Sequence, residues 1–290
     1  MKNILKSAVT ILAMGGLLVG ASIAFFSDEE TSLDNTFTAG AIDLKVDFEG
    51  YYNKLADGDP NAGSWAEKDL TTDDIFFDFD DLKPGDFGEG TISLHVYTND
   101  AWGRMVIDNV LDSGVDCTEP ETETTDPDCM NLAPDTAEAD GELRENLTFW
   151  AWLDQGTTPG FQGEEDEGEG DNLWQENSEP IMITEGTIDQ GGETHNFWEG
   201  LSAYRAFLGS TCNATDPDGD GQTGFAGDES TYLLCQGLAI DGRMVGSTTY
   251  YMGIAWELPE TVGNDVQSDT LQADVTFEVM QHRNVPTPFP

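Results

Sequence analysis

A chain of 290 residues with 57 Asp and Glu against 11 Lys and Arg carries a formal charge of −46. So strong a negative field excludes nucleic acid and anionic membrane surfaces as default partners, favours solubility, and makes association between copies sensitive to salt and divalent cations. Hydrophobic residues still make up 38% of the chain, with seven Trp, which is too apolar for a disordered acidic tail and enough for a substantial core.

The first element in chain order is an export signal. Lys2 and Lys6 give a positive n-region, residues 8–19 an uncharged apolar h-region, and Ser22-Ile23-Ala24 a small-x-small cleavage site. Cleavage by signal peptidase is expected between Ala24 and Phe25. The rival is an uncleaved anchor, but the apolar run 7–23 contains Gly15, Gly16 and Gly20 and only reaches the low end of the roughly 17 to 25 residues that span a bilayer. Residues 1–24 are therefore read as a signal peptide and 25–290 as one domain with no membrane segment after cleavage.

Period-two alternation marks the strands. Ile42, Leu44, Val46 and Phe48 alternate with Asp43, Lys45 and Asp47. Further strands are expected over 75–79, 91–97, 104–110, 147–153, 180–183 and 248–257, and Leu271, Ala273, Val275, Phe277 and Val279 alternate with polar partners near the end. Turn clusters such as Lys83-Pro84-Gly85-Asp86 separate them. One helix interrupts the series, because Phe197, Leu201, Tyr204 and Leu208 recur at helical spacing, with Asn196 and Glu199 as a capping box and Gly209 as the stop. The Gly/Glu/Asp tract 163–171 reads as a mobile loop that buries little, and the three-proline tail 285–290 should lie outside the sheet. The expected fold is an all-β, jelly-roll-like β-sandwich with long inserted loops and one short packing helix.

Four cysteines in an exported chain imply disulfides. Each pair brackets a local polar loop, so Cys117 is expected to bond Cys129 and Cys212 to bond Cys235. Between the latter two, Asp216, Asp218 and Asp220 stand at alternate positions with Gly219 and Gly221 between and after them, and the Gln222 carbonyl falls at the seventh place. That is an oxygen set suited to calcium. The twelfth place is Gly227, and Asp228 and Glu229 come one and two residues late, so the expectation is a structural calcium loop of a type other than the EF-hand. Asn146-Leu147-Thr148 and Asn213-Ala214-Thr215 are glycosylation sequons, and Leu258-Pro259-Glu260-Thr261 departs from a sortase signal at Val262. His95, His195 and His282 are scattered and no His-Glu-x-x-His occurs, which argues against a zinc peptidase.

Phe25-Phe26-Ser27-Asp28 followed by Asn35-Thr36-Phe37-Thr38-Ala39-Gly40-Ala41-Ile42-Asp43-Leu44 resembles the start of mature proteins of the TasA/CalY (camelysin) family. The resemblance extends to Leu82-Lys83-Pro84-Gly85-Asp86, to Asn99-Asp100, and to Asn264, Gln267, Ser268, Asp269, Asp274, Phe277 and Gln281. It is weak from about residue 117 to 244. It implies a secreted structural subunit that polymerises with copies of itself into extracellular fibres of a biofilm matrix or cell surface, with an accessory or anchoring protein as a further partner; that it is not an enzyme is the expectation from the scattered histidines and the missing zinc motif. Residues 25–35 suit a donor strand, because processing frees their N-terminus and Phe25, Phe26 and Leu33 supply apolar anchors. Two rivals carry different chemistry: a camelysin-like surface metallopeptidase, and a calcium-dependent adhesin or glycan-binding module that uses Trp150 and Trp152.

Overall fold

A computed structural model describes residues 27–31, 42–54, 59–79, 81–114, 116–123, 129–130, 136–137, 141–161, 167–209, 235–283, 285 and 288–289. The strands are β1 (Ser27–Thr31), β2 (Asp43–Tyr52), β3 (Ser64–Lys68), β4 (Phe87–Tyr97), β5 (Ala101–Ser113), β6 (Asp116–Cys117), β7 (Thr136–Ala137), β8 (Thr148–Leu153), β9 (Ile181–Gly186), β10 (Glu193–Asn196), β11 (Thr248–Glu257) and β12 (Thr270–Gln281). Two helices, α1 (Leu143–Asn146) and α2 (Phe197–Leu208), interrupt them. Two antiparallel sheets face each other, one ordered β1-β12-β5-β10 and the other β3-β2-β4-β11-β8-β9, and β6 pairs with β7 as a small separate ribbon. The expected all-β sandwich is what forms.

The alternation explains the layers. Leu44, Val46 and Phe48 of β2 are fully buried while Asp43, Lys45 and Asp47 face outward. Ile92, Leu94 and Val96 of β4, Tyr250, Met252 and Ile254 of β11, and Ala151 and Leu153 of β8 complete the inner face of the larger sheet; Met105, Ile107, Phe277 and Val279 answer from the smaller one. Two faces that each present one apolar side chain per two residues can close only on one another. The larger sheet also buries part of its outer face, where Trp152 lies over Gly253 so closely that a Cβ there would stand 2.1 Å from the indole.

Helix α2 packs Phe197, Leu201 and Tyr204 into the same core and stops at Gly209, whose φ of +29° falls where glycine is favoured. The capping box does not form: the Asn196 side chain makes no cap hydrogen bond, and its Nδ2 donates to Glu199 Oε1 at 2.9 Å.

Three expectations are corrected. Residues 75–79 are not a strand; Phe76 instead plugs the sandwich, its ring 5.2 Å from Phe48 and 5.9 Å from Phe277, so the alternation of aromatic and acidic residues there serves burial without a ladder. A second helix, α1, adds to the one expected. The tract 163–171 is built into the structure over its described part, since Glu169 is buried and bridges to Gln155.

Candidate functional site

The relation of the two ends of the chain to one sheet edge is the feature that bears on assembly. β12 lies between β5 and β1, and β1 is the edge strand, paired antiparallel from Ser27 opposite Met280 to Thr31 opposite Thr276. On that side no described strand pairs with β12 from Thr270 to Val275. The segment expected to donate a strand to another copy is thus, in this single chain, a strand of its own sandwich. Ala24, Phe25, Phe26 and Leu33 lie outside the described residues, and β1 is known here by its backbone register alone.

The three other sheet edges differ. β10 has four residues and runs directly into α2. β3 and β9 both carry register irregularities against their neighbours, a common way to blunt an edge against unwanted pairing.

The other matched residues hold the framework. Asp86 accepts from the Tyr52 hydroxyl at 2.6 Å, from Asn53 Nδ2 at 2.7 Å and from the Lys83 backbone at 2.8 Å, while Gly85 at φ +92° lets the turn donate to Leu258 O. Burial works against ionisation of Asp86, but these donors outweigh it and hold its carboxyl below the usual range. Asp100 pairs with the buried Arg243 at 2.7 Å and takes Gly246 N at 2.9 Å. Phe277 is core.

At the opposite end of β12, Asp269 Oδ2 accepts Glu142 N at 2.7 Å, and Asp112 accepts Arg144 N at 3.2 Å. Burial, with Asp112 and Glu121 adding repulsion against the pull of the backbone donors, pushes Asp269 up to about 7.

Cys117 and Cys129 are bonded, with Cα atoms 5.4 Å apart. Cys235 is buried and disulfide-bonded; Cys212 lies outside the described residues, as do Asp216, Asp218, Asp220, Gln222, Asp228, Glu229 and the sequon residue Asn213. Among the described residues no group of three or more His, Cys, Asp and Glu is arranged to hold a metal. Also among them, no helix is long and apolar enough to cross a membrane.

Sequence reading missed one polar constellation. On the outer face of the larger sheet His95 Nε2 lies 2.5 Å from Asp47 Oδ2, and His95 Nδ1 lies 3.0 Å from Thr249 Oγ1. The three residues come from β4, β2 and β11, and because His95 stands opposite both Lys45 and Thr249 in the ladder, only strand order could have brought them together. A hydroxyl, an imidazole and a carboxylate in series can activate a nucleophile, but acyl transfer also needs free donors aimed at a developing oxyanion. Here the surrounding backbone is engaged in the β2, β4 and β11 ladders, so the arrangement reads as a cross-strand tie. His195 bonds Glu193 at 2.9 Å beside the start of α2. Trp152 is 1% exposed, which removes it as a stacking platform for sugars. Leu258, the first residue of the sortase-like stretch, is fully buried in the core, while Glu260 and Thr261 are exposed.

A scan against protein-family models finds no match, and a comparison with curated proteins finds none.

Proposed function

We propose that this chain is an exported structural subunit that assembles head to tail into extracellular fibres, each copy lending its N-terminal strand to the sandwich of the next. One observation carries the reading: β1 is an edge strand that, among the described residues, pairs only with β12. Its withdrawal leaves every other described strand pairing intact, and an identical strand from a neighbour can fill the same register through main-chain hydrogen bonds. Because donor and acceptor surfaces differ, such exchange propagates as an open filament. The resemblance to the TasA/CalY family at both ends of the exported chain supports the same reading, together with secretion through residues 1–24, a structural role for calcium at Asp216, Asp218 and Asp220, and no catalysis.

The test uses residues 25–290 with the native N-terminus, imaged by negative-stain electron microscopy with and without calcium at moderate salt. Filaments are expected, and deletion of residues 25–31 should give a folded monomer that does not polymerise. Filaments that persist in the deletion mutant rule out strand donation; monodisperse particles from the intact chain under all conditions rule out unaided self-assembly.

A further inference from the structure

β1 pairs with β12 so that Asp28 stands opposite Val279 and Glu30 opposite Phe277. Residues directly opposite in an antiparallel ladder share one face of the sheet. Here that face is the core side: Val279 and Phe277 are buried, and across β12 they stand opposite Gly103 and the fully buried Met105 of β5. The Phe277 ring lies 5.9 Å from Phe76 and 6.4 Å from Phe197, and a Cβ on Gly103 would stand 2.4 Å from the Met244 sulfur. Both positions at which β1 meets this apolar layer are thus acidic. Its other three places are Ser27, Glu29 and Thr31, and Glu29 stands opposite Glu278, whose ion-pair partner is Arg104 of β5.

The other edge of the same sheet meets the same condition differently. In β10, Glu193 stands opposite Ile107 and His195 opposite Met105, so ionisable residues again hold the core-side positions. There the two side chains bond each other at 2.9 Å. The strand also runs directly into α2, whose Phe197, Leu201 and Tyr204 anchor it in the core. Two ionised acids cannot make the bond that Glu193 and His195 make, because carboxylates only accept. An acid on the core side of an edge strand weakens its ladder, since the charge must either lose water or hold the strand off the layer below. Like charges directly opposite, as at Glu29 and Glu278, weaken it further.

We propose that Asp28 and Glu30 are the release element of β1: they keep its ladder weak, so that this strand leaves the sandwich while the rest stays folded, and they set the rate at which copies exchange it. Release of the strand follows from the register alone; its role in exchange rests on the assembly reading above. The closed chain and the exchanged chain contain the same ladder between β1 and β12. An interaction common to two states shifts no equilibrium between them, so substitutions in β1 act on the open form through which exchange passes. A tighter β1 therefore slows exchange and leaves the final yield of fibre unchanged.

The experiment is amide hydrogen exchange on freshly purified, monomeric exported chain, read at the amides of residues 276–280 that point to β1 and compared with β2 and β4. In the parent these β12 amides should exchange about tenfold faster or more than those of β2 and β4. Asp28→Val with Glu30→Val should raise their protection by about tenfold or more, and Asp28→Asn with Glu30→Gln by a smaller factor. Ser27→Val with Thr31→Val, two places on the other face, should change it by less than about threefold. Filament growth of the core-side Val pair, followed by light scattering, should slow by a factor similar to its gain in protection and reach the parent's plateau. Unchanged protection in the core-side pair, or an equal gain from the outward pair, overturns the release element. A gain in protection with unchanged growth overturns its role in exchange. A parent that grows no filaments overturns the assembly reading and that role together, and protection then judges release of the strand by itself. Should the Val pair aggregate, the Asn/Gln pair decides by the same readouts.

Discussion

The Tyr52 hydroxyl donates to Asp86 Oδ2 at 2.6 Å across a separation of 34 residues, tying the end of β2 to the turn that starts β4. Removing the hydroxyl with Tyr52→Phe should cost about 1 kcal/mol, and Asp86→Ala, which strands three donors at once, about 3 kcal/mol. Because the folded Asp86 carboxyl lies below its usual range, its contribution is present above the unfolded pKa of about 4 and is lost as pH falls through the folded value. Urea midpoints measured from neutral pH down to about pH 3 should therefore drop less steeply in Asp86→Asn than in the parent.

The carboxyl of Asp269 titrates with the opposite sense. Its folded value of about 7 lies above the unfolded one, so stability is complete below about pH 4 and declines as pH rises through neutrality. Asp269→Asn keeps an acceptor for Glu142 N and removes the charge. The variant should exceed the parent at about pH 8 by about 1 kcal/mol, a figure discounted for the partial exposure of the group. Equal urea midpoints for the two proteins at that pH would count against the repulsion from Asp112 and Glu121.

Gly253 leaves no room for a side chain, with Trp152 at 2.1 Å from where its Cβ would be. Gly253→Ala should lower stability by about 2–3 kcal/mol through overpacking, whereas Gly191→Ala, where nothing lies within 4 Å, should leave it nearly unchanged. Thermal melts of the two variants side by side check the contrast.

Reducing the bond between Cys117 and Cys129, which are 12 residues apart, should cost about 2–3 kcal/mol. The loss should be local to the ribbon of β6 and β7, so exchange protection in the sandwich core remains while the melting temperature of the whole falls by several degrees.

The strands of the core were legible because burial on one face writes itself into alternation: Leu44, Val46 and Phe48 declare β2, and Phe277 and Val279 declare β12. Helix α2 was legible for the same reason at its own period. What escaped was decided by partners far away in sequence. Ser64–Lys68 carries only Trp65 and Ala66 among polar residues and is a strand because it pairs with β2. Residues 75–79 show the alternation of a strand, but Phe76 finds its place among Phe48, Trp65 and Phe277, a packing requirement that no local pattern expresses. Asp154 and Glu179 look like ordinary surface acids in a chain so rich in them, yet both are buried, one just after β8 and the other just before β9. That placement only the folded topology supplies.

After β12, Phe289 lies outside both sheets but is packed against the domain. Phe289 stacks on Trp198 at 5.8 Å and the Arg104 guanidinium lies 4.1 Å from its ring. Arg104 belongs to β5 and also pairs with Glu278 of β12, two strands from the edge that β1 occupies. A label carried at Phe289 would therefore sit beside β5 and the start of α2, on the β10 side of the smaller sheet and away from β1. Such a label would leave the β1–β12 edge clear, which makes this the end of the domain to tag when the proposed strand exchange is to be measured unimpeded.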